Sequence, residues 1–197
     1  FAGNHLLGAA DYALVYHTPD KSRTAYSFCM CPGGQVVAAA SESGGVVVNG
    51  MSMFKRDSGI ANSALVVNVS SEDFGDGPLA GVEFQRQYER LAFAAGGSSY
   101  YAPAQNLDSF FKRSTPSLEG LLTGSYRPGL TACSLDKVLP VYVTETLRQG
   151  IASFGRKLAG YADGGALLTG VETRTSAPVR IERDRQSYVS LTHDLLY

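Results

Sequence analysis

Over residues 1–70 the apolar positions fall in short β-branched runs between polar turns, which reads as sheet. Residues 11–17 (DYALVYH) and 25–30 are predicted strands. Thr18-Pro19-Asp20-Lys21-Ser22 joins them as a polar turn with proline near its start, so a hairpin is expected. Runs at 35–40 and 45–49 flank a second turn, Ser41-Glu42-Ser43-Gly44, and residues 64–69 (ALVVNV) add a further strand.

The period then changes. Pro78 suits a first helical turn, and Phe84, Tyr88, Leu91 and Ala95 follow at helical spacing on one face, closed by Gly96-Gly97. Residues 106–113 are predicted as a short helix capped by Asn106. Ser134 caps 135–139, and 141–150 and 152–159 continue helical, with Pro140, Gly150 and Gly155 breaking the run into short pieces. Strands return at 167–172, 179–182 and 187–191. The order sheet, helices, sheet gives an α+β class. We expect a β-rich, barrel-like, mostly antiparallel body (1–70 and 163–197) with a helical lobe, 71–162, inserted in it.

Composition narrows the function. A chain of 197 residues, 44% hydrophobic, can bury a core. A net charge of -1 and a pI near 6.3 argue against nucleic acid or an anionic membrane as the main partner. No apolar run reaches the roughly 18 residues needed to span a bilayer. Three cysteines, an odd count, fit a reduced, cytoplasmic setting better than a secreted disulfide framework. The chain starts at Phe1 without a basic leader and stops at the apolar Leu195-Leu196-Tyr197, so an excerpt of a longer protein is expected, with a processed mature chain as the alternative.

Four places carry candidate chemistry. Gly75-Asp76-Gly77-Pro78-Leu79-Ala80-Gly81 imitates a dinucleotide fingerprint, but the polar residues 70–74 separate it from the preceding strand and Asp76 is negative where a pyrophosphate would sit. It reads as a loop and a helix start. Cys29 and Cys31 lie C-x-C on a predicted strand, where alternation points both thiols to one face. Buried structural cysteines and a redox or cofactor-facing pair both remain open. Cys133 and the scattered His5, His17 and His193 do not complete a metal set, so no metal is expected. A thiol enzyme is weakly supported, because no neighbouring His, Lys or Arg would stabilise the thiolate. Pro32-Gly33-Gly34 offers bare backbone that can lie against a flat ligand or another chain, or is an ordinary turn. In residues 171–181, Arg174, Ser176 and Arg180 could bind a substrate carboxylate or phosphate, or pair with Glu172, Glu182 and Asp184 in a solvated loop.

Taken in order, FAGNHLLGAADY (1–12), YSFCMCPGGQVVAAASESGGVVVNGM (26–51), ANSAL (61–65), PLAGVEFQ (78–85), YAPAQ (101–105) and LTGVETRTSAPVRI (168–181) resemble one family. It is the uncharacterised bacterial FAD-dependent dehydrogenases, HI0933-like flavoproteins of the two-dinucleotide-binding-domain group. The resemblance implies an internal substrate-binding or cap region of an FAD-dependent oxidoreductase, cut from between the segments that bind FAD. FAD would belong to the full-length parent, and the partners would be the flanking FAD-binding domain and a small-molecule substrate. This piece alone is expected to bind FAD poorly and to be inactive. Cys29, Cys31, Pro32, Gly33 and Gly34 would lie beside the flavin, and Arg174, Ser176 and Arg180 would face substrate, with Arg180 the foremost single candidate. The competing expectation is a noncatalytic binding or regulatory module of the same fold.

Overall fold

A computed structural model describes residues 12–118, 124–175, 177 and 182–193. The expected hairpin at the start is present. Strand β1 (Leu14–His17) pairs antiparallel with β2 (Thr24–Pro32), and Thr18 closes the turn by exchanging hydrogen bonds with Arg23. Strand β5 (Ala61–Val67) adds to the other edge of β2. Strands β3 (Gly34–Ala38) and β4 (Val48–Ser52) form a separate hairpin. A third sheet has β6 (Ala102–Asn106) at its centre, parallel to β7 (Leu130–Ala132) and antiparallel to β8 (Leu167–Thr169). The strands are therefore mostly antiparallel and lie in three sheets, and no closed barrel forms among the described residues.

The helices are α1 (Ser71–Phe74), α2 (Ala80–Ala95), α3 (Leu107–Lys112) and α4 (Val141–Lys157). Asn106 caps α3 as expected, its side chain accepting from the Ser109 amide. The predicted strand at 187–191 does not form, only an isolated bridge joining Arg183 to Ser190, and residues 179–181 of the predicted strand 179–182 lie outside the described residues. Two further expectations, in the helices, change. The buried face of α2 runs through Gly81, Glu89 and Ala92 rather than through Leu91, which is exposed. The run 141–157 is one helix, not several pieces. Glycine costs helix stability mainly through lost backbone entropy, and here it is kept for close packing: a Cβ on Gly150 would lie 2.7 Å from the Ala25 Cβ, and one on Gly155 2.6 Å from the Ala162 Cβ. Strands β6 and β7 carried no sequence signal strong enough to predict them.

Three apolar clusters frame the interior. Val46, Val48, Ala92, Ala102, Tyr126, Val138 and Val171 join the β3–β4 hairpin to α2 and β6. Leu107, Phe110, Leu135, Leu147 and Ile151 join α3 to α4. Leu14, Ala25 and Phe154 seat α4 on the first sheet. Buried charges are answered. Arg148, 7% exposed, donates to Asp136 (2.6 Å), Glu145 (3.1 Å) and the Phe110 carbonyl (2.8 Å), and its guanidinium lies 4.2 Å from the Phe110 ring centroid.

Candidate functional site

Between β5, the helices and the segment following β8 lies a cavity of about 1120 Å³. Its walls are mainly apolar, with Ala64, Val66, Phe84, Leu107, Phe110, Leu147 and Ile151 among them. That volume slightly exceeds the roughly 300–1,000 Å³ that small-molecule sites use. A few polar groups interrupt the apolar lining. Asn62 on β5 is one, and both polar atoms of its carboxamide are buried without a hydrogen-bond partner. Glu172 is another. Burial pushes its carboxyl above the ordinary value of 4.5, and no ion pair to it is found among the described residues. Tyr161 closes one side, donating to Ser27 (2.7 Å) and lying 3.0 Å from the Ser63 hydroxyl.

The Cys29–Gly34 stretch sits at the edge of this region. The expected alternation of thiols fails because β2 is bulged. Phe28 pairs with Ala64 and Cys31 with Asn62, so β2 carries one residue more than β5 across this span. Cys29 occupies the extra position with φ of 48°, in the left-handed region that non-glycine residues rarely adopt, and is exposed. Cys31 is half-buried, and its thiol donates to the Cys29 carbonyl at 3.2 Å. Partial burial raises the Cys29 thiol pKa, and negative charge on Glu172 adds to the rise. Glu172 is thus within electrostatic reach of Cys29, which brings two sequence hot spots to one neighbourhood. The same charge disfavours a thiolate there. No group of three or more His, Cys, Asp or Glu side chains gathers as a metal set among the described residues.

The glycines have neighbours within the chain. A Cβ on Gly33 would meet the Arg56 carbonyl carbon at 2.0 Å, so this left-handed turn (φ 55°) admits the 53–60 loop. A Cβ on Gly34 or on Gly50 would fall 2.6 and 2.3 Å from the Asn62 carboxamide. Arg174 is anchored too. It grips Glu89, which is 2% exposed, through two hydrogen bonds of 2.8 and 2.7 Å, and reaches the Ser41 hydroxyl; Thr173 adds a 2.7 Å bond to the same carboxylate. These contacts hold the segment that carries Glu172 against α2. Ser176 and Arg180 lie outside the described residues.

Sequence reasoning passed over Asn62 and Glu89. A lone Asn in a strand and a Glu in an amphipathic helix are ordinary surface residues by pattern, and only the tertiary packing buries them.

Residues 1–175 match the family model described as FAD-dependent protein, C-terminal domain-like. The chain belongs to that family. It is also 53% identical over 188 residues to an uncharacterized protein of Clostridium beijerinckii, an alignment covering 93% of this chain and 35% of the relative. The chain therefore spans about a third of the length of the curated relative it matches.

Membership of an FAD-dependent family raises the question of which part of the cofactor these residues suit. Among the described residues, no Lys, Arg or His lines the cavity. Helix α1 separates β5 from Gly75, so the strand, tight turn and helix of a phosphate cradle are not formed there, and Asp76 sits in that turn. The described residues do not fit the diphosphate of FAD. What fits the cavity is an apolar body with a few polar contacts. No helix among the described residues is long and apolar enough to cross a membrane.

Proposed function

We propose that this chain is the substrate-binding cap of a cytoplasmic, HI0933-like FAD-dependent dehydrogenase, with FAD held by the rest of the parent protein. The observation that carries this reading is the apolar cavity of about 1120 Å³ whose lining includes Asn62 and Glu172. Family membership supplies the FAD-dependent context. In the reading, the cavity takes the substrate, and the flanking FAD-binding domain packs near the Cys29–Gly34 bulge. The flavin carries the redox chemistry when bound. This chain binds the substrate, orients it and excludes water. Arg174 acts by fixing the Glu172 segment through Glu89.

The test begins with the full-length parent. Its purified form is expected to show a flavin absorption spectrum, and candidate substrates are screened anaerobically for bleaching. Ala61→Trp places a large ring at an exposed, cavity-lining position of β5. It is expected to slow bleaching with the flavin absorbance unchanged. The isolated chain titrated with FAD is expected to show no saturable micromolar binding. A colourless parent would favour the noncatalytic module instead.

A further inference from the structure

The charge of the cavity lining narrows the ligand further, on the reading that this cavity is the substrate site. Its described lining holds two acidic residues, Asp163 and Glu172, and no Lys, Arg or His. Among the described residues, a carboxylate or phosphate ligand would find no counter-charge in this apolar space, which is costly. A cation would find Glu172, whose carboxyl is half-buried and has no ion-pair partner among the described residues. The Asn62 carboxamide is unpaired as well, but its polar atoms are fully buried against Gly34 and Gly50 and are not open to a ligand. Phe84 and Tyr88 supply aromatic wall for the body of the ligand.

We infer that the cavity selects a small apolar molecule bearing a primary amine, with the ammonium paired to Glu172, and rejects the matching carboxylate. A positive head satisfies Glu172, and the amine is the simplest group that supplies one. The acid analogue offers only acceptors and adds a negative charge beside Glu172.

The experiment is calorimetric titration of the 197-residue chain with 4-phenylbutylamine, 4-phenylbutanol and 4-phenylbutyrate, which share one body and differ in the head. The amine is expected to bind at least tenfold tighter than the acid, with the alcohol between them. Glu172→Gln keeps the side-chain shape and removes the charge. It is expected to bring the amine down to the alcohol's affinity and leave the alcohol unchanged, with the circular-dichroism melt of the variant no lower than the parent's. Equal or tighter binding of the acid overturns the amine assignment while leaving the cavity as a binding site. An amine preference that survives Glu172→Gln overturns it too. Failure of all three ligands to bind overturns both the assignment and the substrate-site reading beneath it.

Discussion

Around Arg148 on α4, a buried guanidinium meets two carboxylates, a backbone carbonyl and an aromatic face. Around Glu172, on the cavity wall, a half-buried carboxyl meets no described cation and lies within electrostatic reach of the Cys29 thiol, whose pKa is raised. Both regions lie among apolar side chains, so burial alone does not distinguish them. The difference is completeness. The first network is closed within the chain and holds α3, α4 and the 3-10 turn at Leu135–Lys137 together. The second leaves polar capacity over, which is how ligand sites differ from structural ones.

The largest expected effect tests which kind Arg174 belongs to. It sits two residues from Glu172 but is bonded like Arg148. Arg174→Met leaves the buried Glu89 carboxylate with only the Thr173 hydroxyl, and, discounted for the exposure of Arg174, is expected to cost about 2–3 kcal/mol in a urea melt. A variant of unchanged stability would show that the guanidinium is spare and free for a ligand.

Gly150→Ala probes the closed side. The added methyl would press on Ala25, and overpacking of this kind costs about 1–3 kcal/mol, offset by less than about 1 kcal/mol of helix preference. Net destabilisation is expected. A stabilised variant would mean that α4 can move off the first sheet.

The pH dependence separates the two regions by sign. Glu172 has a raised value, so its contribution to stability is full below the unfolded value near 4.5 and is lost as pH rises through the higher folded value. Asp73 and Asp136 behave oppositely. Hydrogen bonds from Arg23 lower Asp73, and at Asp136 burial is outweighed by Arg148 and Thr144. Their contributions are present above about 3.8 and are lost as pH falls through the lower folded values. Melts at pH 7, 5 and 3 should show a gain and then a loss. Glu172→Gln should abolish the gain and keep the loss.

The smallest effect is kinetic. Cys29, the exposed thiol, is expected to alkylate faster than Cys31 or Cys133, with a midpoint above the ordinary 9.0. In Glu172→Gln that midpoint should fall. No change would remove Glu172 from the vicinity of the bulge.

Much of the element order was legible because period and punctuation agree locally. The 18–22 turn, the Asn106 cap and the Gly96-Gly97 stop each have a residue whose chemistry fixes the backbone. Strand β6 was not legible, since APAQN owes its place to the strands on either side. Helix α4 was misjudged because a glycine signals both a break and a close contact, and only the partner, Ala25 or Ala162, says which. In the candidate site, the two hot spots were legible as unusual composition. Their proximity, the bulge at Cys29 and the isolation of Asn62 depend on register across β2 and β5, which no local pattern encodes.

The Asn62 carboxamide, lodged where Gly34 and Gly50 lack side chains, has an evolutionary corollary. The three positions form a lock that drift can open only in a set order. Gly50 can acquire a methyl only after residue 62 has shortened, and once a methyl is there asparagine cannot return; Gly34 is held in addition by the Cys31 Cβ and carbonyl oxygen, 2.6 and 2.7 Å from where its own Cβ would stand. Lineages that keep asparagine should hold both glycines, whereas a lineage with a small residue at 62 should show alanine or serine appearing at 50 while 34 stays glycine.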